Sequence, residues 1–128
     1  QPQNIANHEE QNKNFCSENS SSSWICIDFN KYRIVPTDYE IRSRNGTTNW
    51  YHPKSWIIEC SNDNIQWEIL DEQIDCPSLN GKRITCSFKL KNHIKNEYRY
   101  FRMRNIGQDW YGANYLTIEA FEIYGKLV

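Results

Sequence analysis

Apolar and polar positions fall into short runs from residue 24 onward. WICIDF (24–29) is a short apolar, β-rich stretch, and RIVPTDYEIRS (33–43) follows after Asn30-Lys31. Pro36 lies inside that second run. A proline donates nothing to a sheet ladder, so it belongs at a bulge or an edge. SWIIECS (55–61) and IQWEIL (65–70) flank the turn former SNDN and predict a β-hairpin. RITCSFKL (83–90) alternates strictly, with Ile84, Cys86, Phe88 and Leu90 on one face, as a half-buried antiparallel strand does. YRYFRMRN (98–105) alternates near its end, and LTIEAFEIYG (116–125) closes the series. Residues 1–23 are polar and read as loop packed on the domain, whereas 24–128 read as the folded unit. About seven short strands without an amphipathic helix predict an all-β, antiparallel sandwich.

Composition narrows the picture only slightly. A chain of 128 residues suits one domain. Fifteen Asn against three Ala favour turns over helices. Fifteen basic and 16 acidic residues nearly cancel, so nothing global draws the chain to nucleic acid. No apolar stretch approaches the ~20 residues of a membrane span. With neither an initiator Met nor a signal peptide, the chain reads as part of something longer.

The five cysteines, 16, 26, 60, 76 and 86, lack metal-ligand spacing, and they read as reduced thiols of a cytosolic protein. The sequons Asn19-Ser20-Ser21 and Asn45-Gly46-Thr47 would matter only after secretion.

Two loops carry the candidate chemistry. The first holds Arg44, Asn45, Asn49, Trp50, Tyr51 and His52; the second holds Gln108, Asp109, Trp110, Tyr111 and Asn114. Aromatic faces beside amide and guanidinium donors suit a sugar, whose C–H face stacks while its hydroxyls are hydrogen-bonded. Trp, Tyr and Arg are equally the favoured anchors of protein interfaces. The competing structural reading folds Trp50 or Tyr51 back to cap the sandwich and packs the second loop on its own aromatics. Trp24, Trp56 and Trp67 sit in strand patterns and read as core or near-core. Basic residues between Lys82 and Arg104, with Tyr98 and Tyr100 among them, offer a phosphate or lipid-headgroup surface, or merely a solvent face. No G-x-S-x-G, P-loop or HExxH motif occurs, so no catalytic residue is assigned and no enzyme is expected.

Four motifs in order resemble the discoidin, or coagulation-factor type C, domain, in the spelling of its intracellular protist branch. They are Trp24 with Asp28 and Phe29; Trp56, Glu59, Ser61, Asn62, Asp63 and Trp67; Arg99, Tyr100 and Arg102; and Tyr124 with Gly125. The resemblance implies a jelly-roll-like β-sandwich of the galactose-binding type, its first strand lying upstream of residue 1. It also implies a site in loops at one end, for sugars, phospholipid headgroups or proteins. Sugar-binding relatives hold a structural calcium through Asp-Gly and a Glu. Here Asn7, His8 and Ala120 stand at those positions, so neither metal nor cofactor is expected. The expectation is therefore an intracellular, non-catalytic module that docks a protein through loops 44–53 and 107–115. A glycan is the alternative ligand, and an anionic lipid the third.

Overall fold

The computed structural model describes residues 23–91 and 95–128, with the backbone alone for strand residues 14–18. Eight strands are described: β1 (Asn14–Glu18), β2 (Trp24–Asp28), β3 (Ile34–Ser43), β4 (Trp56–Ser61), β5 (Glu68–Gln73), β6 (Thr85–Lys89), β7 (Tyr100–Asn105) and β8 (Ile118–Leu127). They form two antiparallel sheets, ordered β1-β2-β7-β4-β5 and β6-β3-β8. A single 3₁₀ turn, Pro77–Leu79, joins β5 to β6.

Alternation places the core between the sheets. Ile27, Phe29, Trp56, Ile58, Phe101 and Met103 come from the larger sheet and its margin; Tyr39, Ile41, Phe121 and Ile123 come from the smaller. The Trp56 indole N–H donates to the Tyr39 hydroxyl at 3.1 Å, which satisfies the one polar atom of a fully buried ring. Phe88 of edge strand β6 stacks on Tyr39 at 4.8 Å between centroids. Pro36 sits where the β3–β8 register slips, between Pro36 and Asp38.

The sequence reading needs two corrections. Residues 14–18 fall in the segment read as polar loop but form edge strand β1 on β2. An edge strand is held by ladder hydrogen bonds, so hydropathy gives little sign of it. The second member of the hairpin starts at Glu68, not Ile65. The Asp63 carboxylate accepts the backbone N–H groups of Ile65 and Gln66, both at 2.9 Å, and so prolongs the turn.

On the outer face of the larger sheet, charge replaces grease. Arg99 makes a two-point bond to Asp28, at 2.7 and 3.1 Å. Buried Glu59 accepts from Arg102 at 2.6 Å and from Arg104 at 2.8 Å. The Arg102 guanidinium lies 3.9 Å from the Trp67 ring centroid and 5.5 Å from that of Trp24. Trp24 and Trp67 are thus half-buried partners of an arginine, and of the three strand-pattern tryptophans only Trp56 is fully buried.

Candidate functional site

The register brings two loops to one end of the sandwich. Ser43, the last residue of β3, pairs with Ile118, the first of β8; Trp56, the first of β4, pairs with Asn105, the last of β7. Residues 44–55 and 106–117 therefore leave neighbouring strand ends. Ile106 N–H donates to Ser55 O and Trp110 N–H to His52 O, both at 3.2 Å, and these bonds tie the loops together.

The first loop is built around His52, which is buried. Its Nε2 lies 2.9 Å from Gly46 O and 3.0 Å from Thr47 O. Two carbonyl acceptors require that nitrogen to carry the proton, an assignment that follows from the network. Trp50 covers Gly46 so closely that a Cβ there would stand 2.7 Å from Trp50 Cδ1. Asn49 takes a left-handed φ of 65° and exchanges hydrogen bonds with Asn80, which anchors the loop to the 3₁₀ turn.

The second loop is built around buried Asp109. Its Oδ1 accepts the N–H groups of Tyr111 at 3.0 Å and Ala113 at 2.9 Å. Trp110 is half-buried beneath the Lys54 ammonium, 4.8 Å from the ring centroid. Asn105 donates from Nδ2 to Tyr115 O at 3.1 Å, which fixes the exit of the loop.

Between these loops lies a cavity of about 310 Å³, lined by Arg44, Asn45, Trp50, Tyr51, His52, Tyr115 and Thr117. That volume is at the small end of ligand sites. Tyr51 packs 4.5 Å from Tyr111 and 6.2 Å from Tyr115, and Trp50 lies 5.2 Å from Tyr51. The rings do not fold back into the sandwich. Trp50 is 47%, Tyr111 57% and Tyr115 60% exposed, and Tyr51 is half-buried. Burial and neighbouring Tyr111 raise the Tyr51 phenol above its ordinary value.

Five of the eleven residues singled out in sequence line the cavity: Arg44, Asn45, Trp50, Tyr51 and His52. Tyr111 joins its aromatic rim. Asn49, Asp109 and Trp110 are committed to holding the loops, and Gln108 and Asn114 are exposed outside the lining. Tyr115 and Thr117 complete the wall and were not among the residues singled out. LTIEAFEIYG reads as strand from Leu116, but β8 begins at Ile118, which leaves both residues in the loop.

A second hollow, about 380 Å³, lies at the β4–β5 turn and is lined by Cys60, Ser61, Asn62, Asp63, Gln66, Trp67, Glu68 and Tyr98. This hollow is the larger of the two, but several of its polar groups are already engaged. Asp63 caps the turn, and the Tyr98 hydroxyl donates to Glu68 at 2.7 Å. Burial pushes the Cys60 thiol up to about 12, so it is no nucleophile at neutral pH. Arg99, Arg102 and Arg104, one basis of the lipid reading, are engaged with Asp28 and Glu59. Among the described residues no group of three His, Cys, Asp or Glu is placed to hold a metal ion; Asn7 and His8 lie outside them. Glu119, beside Ala120, is paired with Arg42 and Arg83.

No protein-family model matches the chain. It is similar to an E3 ubiquitin-protein ligase, Ufd4 of Drosophila melanogaster, with 28% identity over 115 residues; these are 88% of this chain and 4% of the ligase. The chain thus spans a small fraction of the length of that relative. Among solved structures, an F5/8 type C domain from Bacteroides fragilis aligns with a TM-score of 0.62 and 16% identity, covering 89% of this chain and 73% of that one. The family 32 carbohydrate-binding module of Streptococcus pneumoniae EndoD aligns at 0.59 and 14%, covering 88% and 75%. These likenesses establish the fold: an antiparallel β-sandwich like that of F5/8 type C, or discoidin, domains.

Proposed function

We propose that this chain is a non-catalytic binding module that takes a carbohydrate in the loop-end cavity. The exposed aromatic cluster of Trp50, Tyr51, Tyr111 and Tyr115 around that cavity carries the reading. A pyranose offers an apolar C–H face to such rings, and Arg44, Asn45 and Thr117 supply donors and acceptors for its hydroxyls. The lining holds no carboxylate or thiol, and the His52 proton is tied to backbone carbonyls, so no acid–base pair converges there. The name of the S. pneumoniae structural neighbour supports the same ligand class.

The likeness to a ubiquitin ligase favours a second reading, in which the same cavity docks a protein and recruits it to a larger cytosolic polypeptide. A glycan array separates the two. Wild-type domain is expected to bind a subset of saccharides. Trp50→Ala should weaken that binding at least about ten-fold, the loss typical of an interface anchor, without lowering the melting temperature. A blank array would remove the carbohydrate reading and leave protein docking.

A further inference from the structure

We propose that Asn45 is a site of spontaneous deamidation, and that its isoaspartyl product unseats Trp50 and so disables the loop-end cavity.

Two of the chain's asparagines precede glycine, in Asn45-Gly46 and Asn80-Gly81. This dipeptide suits the reaction because a glycine nitrogen is approached without hindrance from a side chain. The deprotonated nitrogen attacks the asparagine Cγ, a C–N bond forms and ammonia leaves. Water then opens the cyclic imide. Breaking the bond to Cγ gives aspartate. Breaking the bond to the main-chain carbonyl carbon gives isoaspartate, whose peptide link runs through Cγ. Water is the one co-reactant consumed on either route.

The structure sets the two dipeptides apart. Asn80 is held at both ends of its amide: Oδ1 accepts the Asn49 N–H at 2.7 Å, and Nδ2 donates to Asn49 Oδ1 at 3.0 Å. Gly81 is buried, and its N–H donates to Leu79 O at 3.0 Å. Asn45, by contrast, is exposed in the cavity wall. Among the described residues neither its side chain nor the Gly46 N–H has a hydrogen-bond partner. Every bond that must break first adds to the barrier, so Asn45 reacts and Asn80 is protected.

The consequence falls on the loop. Gly46 has a φ of +146°, and a Cβ there would meet Trp50 Cδ1 at 2.7 Å. The loop therefore needs glycine at this position and keeps the labile bond. Gly46 O and Thr47 O are the two acceptors of the buried His52 ring. Isoaspartate inserts one extra backbone atom just before them. The two carbonyls then no longer meet Nε2 together, and Trp50 loses its close seat on Gly46. The effect on ligand binding rests on the carbohydrate reading; the chemistry and the loop disturbance do not.

The test incubates the purified chain at about pH 8 and at about pH 6 and maps its peptides; modification should be faster at the higher pH because the nucleophile is the deprotonated nitrogen. A gain of about 1 Da with an isoaspartyl linkage is expected at Asn45. At Asn80 the gain should be at least about ten-fold slower. NMR of the aged, isotope-labelled chain should show amide shifts at residues 46–51. Asn45→Asp, which adds the charge without the extra backbone atom, should show much smaller ones. Asn45→Gln, whose ring closure is slower, should keep its amide spectrum through the same incubation. The isoaspartyl fraction should bind the tightest saccharide of the array at least about ten-fold more weakly than fresh chain. Equal rates at Asn45 and Asn80 would overturn the proposal, as would no reaction at Asn45 while a synthetic peptide of residues 40–51 reacts. An isoaspartyl fraction whose spectrum and affinity match the fresh chain would overturn it too. If the fresh chain binds no saccharide, the carbohydrate reading falls, and the peptide map and spectra still decide the proposal.

Discussion

Replacing Gly125 by alanine is expected to remove about 3 kcal/mol of stability or more, a large part of what a domain of this size has. The reason is backbone against backbone. Gly125 pairs with Pro36 at the slipped register of β3 and β8. A Cβ there would stand 2.1 Å from Val35 O, 2.8 Å from Pro36 Cα and 2.9 Å from Val35 C. No side chain can swing aside to relieve the contact, so the strands themselves must part. They are the two ten-residue strands of the smaller sheet. Thermal or urea unfolding of Gly125→Ala against wild type measures the effect, with an expected fall in melting temperature of about 10 °C. Gly107→Ala is the control. Its new methyl would meet only Ser55 Cβ at 3.8 Å, and a change within about 0.5 kcal/mol is expected. Equal stability of Gly125→Ala and wild type would mean that the strands do not approach as closely as this register requires. The same contact gives a steric reason for the aromatic-Gly ending of the chain's resemblance.

Glu59→Ala is expected to cost about 3 kcal/mol, at the lower end of the range for breaking a buried ion pair. Glu59 is 3% exposed and bridges Arg102 and Arg104. Truncation leaves two guanidinium groups without their counter-charge on the sheet face. Their partial exposure, 19% and 30%, lets water recover some of the loss and sets the estimate low. Glu59→Gln keeps an acceptor and should cost less.

Acid provides a second readout of the same cluster. Burial alone would raise the Glu59 carboxyl, but hydrogen bonds and charge from Arg104 and Arg102 outweigh it and hold the group below its ordinary 4.5. At Asp28, burial is likewise outweighed by Arg99, which leaves the group below 3.8. Both stabilising contributions are complete above those unfolded values and are lost as pH falls through the depressed folded ones. Melting temperature should therefore hold steady between about pH 7 and about pH 5 and then fall in acid, less steeply for Glu59→Gln. Parallel acid profiles for the two proteins would contradict the assignment.

What the sequence revealed and what it concealed follow from range. Alternation in 83–90 and 98–105 depends on nearest neighbours and marks β6 and β7 directly. Pro36 announces a bulge because a missing N–H is a local fact. β1 is concealed because its partner, not its own hydropathy, makes it a strand. Ile65 and Trp67 look like strand residues, yet Asp63 caps the N–H groups of Ile65 and Gln66, and the strand starts only at Glu68. The Glu59 bridge spans more than 40 positions and shows in sequence only as a motif. The loop site was half legible. Clustered Trp, Tyr and Arg mark a surface worth presenting. Nothing in residue type says that His52 and Asp109 would be spent on backbone groups of their own loops, or that Tyr115 and Thr117 would stay outside the last strand.

The central claim is that the cavity between residues 44–52 and 111–117 is where this sandwich meets its ligand. The most direct measurement is a residue-resolved NMR titration of the isotope-labelled domain with the tightest saccharide from the array. Amide shifts are expected to concentrate in those two loops, with β4 and β7 undisturbed. Shifts centred on the β4–β5 turn, at residues 61–67, would place binding in the other hollow and contradict the account.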